Sequence, residues 1–251
     1  MRDGLRLALS LLTVAPVRPG TVDRGTARVA MLLAPLVGLL LGGLVAVAMV
    51  AATAAGAPPL VAGVLAIALL AGLTRGLHLD GLADTADGLG SYGDADKALA
   101  IMKESDIGPF GVVAIGIVLL AQAAAFADLA TRPALATVVG TAAAVGTGRL
   151  AVTWSCRPGV PSAQPDGLGA LVAGTVPAPA AAAWTVLLAA ISIAAVTARP
   201  WLGPVAVLAG VAAAGALVRH TTRRFGGVTG DVFGACVEVG VTVTVAVLTF
   251  A

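Results

Sequence analysis

Seven stretches of this chain are each apolar over roughly the length of a membrane crossing: residues 29–55, 59–77, 110–130, 134–156, 179–198, 200–218 and 231–250. A spanning helix needs about 20 mostly apolar residues. The second and sixth stretches are short and the last opens on charged residues, so the expected count is six to eight. Charge agrees with this reading. Only 11% of residues are charged and 59% are hydrophobic, where a soluble domain carries about 25% charged residues. A water-soluble globule is thereby excluded. The 32 glycines follow no collagen period, which excludes a fibrous chain. Aromatic residues make up only 4%. A chain rich in Ala, Val, Leu and Gly suits a lipid-embedded bundle, because small residues let helices approach where no hydrophobic force drives them together. The expected fold is an all-α integral membrane bundle of about seven transmembrane helices, forming one domain over 1–251. Residues 1–28 read as an amphipathic segment lying at the membrane face.

The cations orient the bundle. With a cytoplasmic N-terminus, 13 of the 15 Lys and Arg fall on the inner side, leaving only Arg132 and Arg199 outside. This is a strong positive-inside bias, and it supports this threading. The long polar loops, 78–109, 157–178 and 219–230, then share the cytoplasmic face. Such one-sidedness points to an enzyme meeting soluble substrates there, since a transporter scatters ionisable groups along its spans. The net charge of +2 gives no reason to expect nucleic acid. Cys156 and Cys236 lack metal-site spacing and read as small apolar fillers.

The informative segment follows the second span. Between Asp80 and Asp106 lie seven of the 13 carboxylates. Asp80, Asp84 and Asp87 are spaced i, i+4, i+7, so a helix projects them from one face. Clustered carboxylates repel one another and invite a cation. Oxygen-only ligands select a hard ion such as Mg²⁺, which is held by one or two carboxylates together with substrate phosphates. His78 is either a general base or ligand, or an ordinary hydrogen-bonded interfacial histidine. Lys103, in Lys103-Glu104-Ser105-Asp106, either pairs with a phosphate oxygen or anchors the inner face. Asp94 and Asp96 read as the capped start of a helix.

A second constellation opens the last span: Arg223-Arg224-Phe225-Gly226-Gly227-Val228-Thr229-Gly230-Asp231, with Glu238 seven residues on. Glycines at a helix start can present N–H groups to an anion, and the two arginines add cationic donors. Asp231 either joins the metal site or caps the helix. Glu238 falls inside the bilayer, where an ionisable side chain is functional by default. Arg149, near the inner end of a span, either touches phosphate or snorkels.

Three motifs together resemble the cobalamin synthase family, the adenosylcobinamide-GDP ribazoletransferases: His78-Leu-Asp80-Gly-Leu-Ala-Asp84-Thr-Ala-Asp87-Gly88, then Met102-Lys103-Glu104-Ser105 with Gly108-Pro-Phe-Gly111, then Gly226-Gly227-Val-Thr229-Gly230-Asp231. The Leu12-Thr13-Val-Ala-Pro16 and Pro35-Leu-Val-Gly38 patterns extend the likeness toward the N-terminus. The chain departs from the family pattern at Glu104, commonly Asp, at Asp106, commonly basic, and at Gln164, commonly Arg. The resemblance implies an enzyme of the cytoplasmic membrane that joins adenosylcobinamide-GDP to α-ribazole or its 5′-phosphate and releases GMP with Mg²⁺. A homo-oligomer is left open. On this basis the expected metal ligands are Asp80, Asp84, Asp87, Asp231 and Glu104. The expected catalytic residues are Asp84, Asp87 and His78. Lys103, Ser105, Arg149, Arg223, Arg224, Gly227, Thr229 and Gly230 are the expected substrate and phosphate contacts. Two other readings are a CDP-alcohol phosphotransferase, whose motif carries Arg where Asp84 stands, and a cation-coupled transporter using Glu238.

Overall fold

The computed structural model describes residues 1–251 and contains eleven α-helices and no strands. They are α1 (Arg2–Leu12), α2 (Arg24–Ala54), α3 (Pro59–Leu73), α4 (Leu77–Gly90), α5 (Ala95–Ile101), α6 (Pro109–Ala130), α7 (Ala134–Ser155), α8 (Gly167–Val172), α9 (Ala178–Ser192), α10 (Leu202–Phe225) and α11 (Gly230–Leu248). Six of them are long and apolar enough to cross a membrane, α9 with the help of a short 3₁₀ turn that follows it. Helix α3 passes only together with α4, into which it bends by 90°, so the pair brings the count to at most seven. This is a multi-pass membrane protein built as a helical bundle.

Hydrogen bonds between remote segments show which helix ends share a face. At one end, Val14 N donates to Leu73 O, Ala163 N to Val228 O, and Arg224 to Ser91 O. Here lie α1, α4, α5, α8 and the longer connections. At the other end, Arg132 donates to Leu248 O and Arg199 to Phe250 O. The two cations set apart by the sequence pattern thus lie together there, each bound to a carbonyl near the C-terminus. Arg132 also pairs with Asp128.

The helix ends differ from the apolar stretches for local reasons. The amphipathic segment is shorter than 1–28. Only α1 is helical, burying Gly4, Leu7, Ala8 and Leu12, and the chain then runs irregularly to Asp23. There a reciprocal pair starts α2: the Asp23 carboxylate accepts from Thr26 N, and the Thr26 hydroxyl accepts from Asp23 N. Such a box satisfies two otherwise free amides, so α2 begins at Arg24, upstream of the apolar run. Arg24 reaches across to the Ala170 and Ala173 carbonyls at the end of α8. Likewise α10 does not stop near 218. It continues through Arg219, Arg223 and Arg224 until Gly226, at φ 84°, ends it in the left-handed conformation, which glycine adopts without strain. The expected loop 219–230 is therefore mostly helix.

Close helix approach depends on missing side chains, as expected for a bundle in lipid. A Cβ on Gly38 would lie 2.8 Å from Val145 O and 2.9 Å from the Gly146 Cα, both backbone atoms of α7. Both cysteines are buried and unpaired. Gly38→Val forces α2 from α7 and is expected to cost about 1–3 kcal/mol, measured as a lower melting temperature in detergent. Gly43→Val is the control: a Cβ there meets nothing within 4 Å, and its melting temperature should stay close to that of the parent.

Candidate active site

The chain leaves α3 through two residues in the left-handed region, Arg75 at φ 57° and Gly76 at φ 68°. A non-glycine residue there costs roughly 1–2 kcal/mol, and Arg75 is held by donation to Ser10 O at 3.3 Å. The turn lays α4 along the polar end of the bundle, outside the spanning segments. There α4 packs on the start of α11. A Cβ on Gly81 would sit 2.6 Å from Asp231 O, and one on Gly234 would sit 3.2 Å from the His78 Cα. The first and third sequence motifs therefore meet backbone to backbone.

This contact brings part of the acidic set together. Asp80 and Asp84 line an open cleft of about 620 Å³ together with Arg75, Lys103, Glu104, Ser105 and Asp106. Asp84 is half-buried. Partial burial first, and then the charges of Asp80, Asp231 and Asp87, push its carboxyl up to about 6. Asp231 adds to the field at Asp84 but does not line this cleft; it lines a separate pocket with His78 and Gly230, although it was expected among the metal ligands. Lys103 also lines a neighbouring groove with Asp96, Gln164 and Asp166, which carries the cleft toward the 157–166 loop.

Other expected site residues are placed elsewhere. Asp87 is buried, and its two oxygens accept from Gly108 N at 2.8 Å and Gly111 N at 3.0 Å. It caps α6, so its carboxylate is engaged by protein amides where an ion was expected. His78 leaves α4 about 200° around the helix from Asp80. Its ring is buried, with Nδ1 3.4 Å from Arg149 Nη2. It faces away from the cleft where a base or ligand was expected. Arg149 is 2% exposed, which removes it from any phosphate at the surface and from the inner-face cations. With His78, Gln122 and Glu238 it lines a cavity of about 10 Å³ inside the bundle. Gln122 donates to Glu238 Oε2 at 2.8 Å and to the Thr242 hydroxyl at 3.0 Å. Glu238 thus belongs to an internal polar network.

The glycine turn is also used structurally. Val228 N donates to Pro161 O, and Ala163 N to Val228 O, at 3.0 Å each. Gly227 is buried against Pro161 and Ser162, where a Cβ would clash. The Thr229 hydroxyl accepts from Val232 N as the cap of α11 and lies 3.2 Å from Asp231 Oδ2. Gly230 packs near Leu168. None of the three lines the acidic cleft. Arg224 donates to Ser91 O and Asp94 O, both at 3.1 Å, bracing α10 on the α4–α5 turn. Arg223 opens onto a different cleft, beside Arg157 and Arg219.

The residue missed from the sequence is Arg75, read only as an inner-face cation. Its signal was its position: the last charge before Gly76, one helical turn ahead of Leu79 and Asp80.

A match over residues 4–249 to the model described as cobalamin-5-phosphate synthase decides the family. The chain belongs to that family. Among curated relatives, an adenosylcobinamide-GDP ribazoletransferase from a Nocardioides species is 47% identical over 245 residues, covering 97% of both chains. A protein of the same name from Frankia casuarinae is 42% identical, covering 97% of this chain and 93% of its own. Another, from Corynebacterium efficiens, is 36% identical, covering 97% and 90%. No solved structure matches the chain significantly. Within the family's first motif, the geometry separates two aspartates facing the cleft from a third that caps a helix.

Asp87→Ala strips the acceptors from two amides at the start of α6 and should cost about 1–3 kcal/mol. Hydrogen exchange should accelerate at residues 108–111, with or without Mg²⁺. Exchange that changes only when Mg²⁺ is withdrawn would instead make Asp87 a ligand.

Proposed function

We propose that this protein is a Mg²⁺-dependent adenosylcobinamide-GDP ribazoletransferase, working at the cytoplasmic face of the cell membrane. The observation that carries the reading is the cleft shared by Asp80, Asp84, Lys103 and Ser105, in a chain matched to its family over residues 4–249. The orientation rests on the cations. Arg149 is internal, but every other Lys and Arg except Arg132 and Arg199 belongs to the end of the bundle that carries the cleft, and an excess of Lys and Arg marks the cytoplasmic side.

The donor set suits Mg²⁺. No three His, Cys, Asp or Glu side chains form a complete protein cage. The smaller ion does not need one: it takes one or two carboxylates, and phosphate oxygens and water fill the remaining positions. Asp80 and Asp84, one turn apart on α4 and open to the cleft, would hold it, with Glu104 of the same cleft. Bound there, the ion would neutralise charge on the donor's pyrophosphate.

The chain's own groups account for the rest of the reaction. An α-ribazole hydroxyl oxygen attacks the phosphorus on the cobinamide side of the pyrophosphate. The new P–O bond forms as the bond to GMP breaks, and GMP leaves with the electron pair. Such a transfer needs positioning and charge neutralisation more than covalent help. Lys103 and Arg75 supply positive charge on the cleft wall, and the Ser105 hydroxyl can donate to a phosphate oxygen. The hydroxyl proton passes to a cleft carboxylate, because His78 lies on the far side of α4.

Purified protein given the corrinoid donor and α-ribazole should release GMP only with Mg²⁺. Asp80→Asn and Asp84→Asn should each lower that rate by about 10²-fold or more, while membrane insertion and melting temperature stay near the parent's. Near-normal GMP release by either variant would refute the assignment.

A further inference from the structure

A second cleft lies apart from the acidic one. It has a volume of about 670 Å³ and lies at the polar end of α10, where Arg157, Arg219 and Arg223 converge and no acidic residue lines the wall. Its floor is made by Ala212, Gly215 and Ala216. It shares no lining residue with the acidic cleft.

Three cations facing one space repel one another, and this arrangement calls for an anion. Neither Arg219 nor Arg223 makes a hydrogen bond or ion pair to another side chain, and none of the three arginines pairs with a carboxylate. Arg157 is held in place: it donates to Trp154 O at 2.9 Å, and its guanidinium lies 5.9 Å from the centre of the Trp154 ring. One fixed and two free guanidinium groups form a receptor for phosphate.

The floor selects the kind of phosphate. Along α10, positions 205, 208, 212, 215, 216 and 219 fall on one helical face. Val205 and Leu208 on that face are 43% and 53% exposed, and they belong to a membrane-spanning helix, so they face lipid tails. The groove over Ala212, Gly215 and Ala216 continues that apolar track up to the arginines. A Cβ on Gly215 would meet nothing within 4 Å, so the groove is open. A soluble anion has no use for an apolar track running into the membrane, whereas an acyl chain does.

We propose that this cleft binds an anionic phospholipid of the adjoining leaflet, its phosphate held by Arg157, Arg219 and Arg223 and one acyl chain lying over Gly215. The site is separate from the acidic cleft and does not depend on the reaction proposed there.

The test is thermal stabilisation of the purified protein in a neutral detergent. Phosphatidylglycerol should raise the melting temperature saturably, and phosphatidylcholine or inorganic phosphate at equal concentration should not. Arg219→Gln, which breaks no hydrogen bond or ion pair within the protein, should weaken the apparent affinity for phosphatidylglycerol about fivefold, and Arg157→Gln/Arg219→Gln by about that factor again. Gly215→Leu keeps every charge but fills the groove, and should weaken binding of the two-chain lipid without moving the unliganded melting temperature. A shift with inorganic phosphate as large as with phosphatidylglycerol would make this a soluble-anion site and overturn the lipid assignment. A phosphatidylglycerol shift that persists in Arg157→Gln/Arg219→Gln would place the lipid elsewhere, and no shift in the parent protein would end the proposal.

Discussion

The backbone contact between α4 and α11 sets the position of everything else on the polar face. Gly81 lies against the Asp231 backbone, and Gly234 lies against His78. With side chains at these positions the helices would stand apart, and the aspartates of α4 would lose the company of Asp231. The contact gathers negative charge, which is costly in itself, since like charges in reach of one another destabilise a fold. Packing of α4 on α11 and α6, and the capping of α6 by Asp87, hold the carboxylates together against that repulsion. A site strained in this way is prepared for a cation.

Two polar systems lie back to back across α4. On the outer side, Asp80 and Asp84 open to the cleft. On the inner side, His78 meets Arg149, which shares a small cavity with Glu238 and Gln122. Buried charges of this kind are poorly stabilising, yet they fix register, because a one-residue slip of α4 would leave Arg149 without its neighbour. The inner network therefore serves the outer cleft by holding the helix in rotation, although it touches nothing that enters the cleft.

The span count, the one-sided polarity and the helix carrying Asp80, Asp84 and Asp87 were all legible in the sequence, because hydropathy and helical spacing are local properties. Which of those aspartates would be available was not. All three share a face by spacing, but Asp87 meets the amides of Gly108 and Gly111, twenty-one and twenty-four residues on, and no local pattern reveals that partner. The same holds for Gly227 and Thr229: glycines and a threonine before a helix read equally well as an anion cradle or as a packed turn with a cap. Only the loop at Pro161–Ala163 decides between them. Arg149 and Arg223 were read by charge alone, and charge does not say which way a helix is turned.

The shortness of α3 bears on how the polar end of the bundle meets the membrane. Its 15 residues rise about 22 Å at 1.5 Å per residue, against a hydrocarbon thickness of about 30 Å. As part of a crossing, so short a helix would create a mismatch that the bilayer relieves by thinning beside it. A bilayer thinned in this way would bring its surface toward the turn at Arg75 and Gly76, at the foot of the acidic cleft. Near such a surface Coulombic forces are less screened than in bulk water, so each charge in the cleft would be felt more strongly than on a loop projecting into solvent.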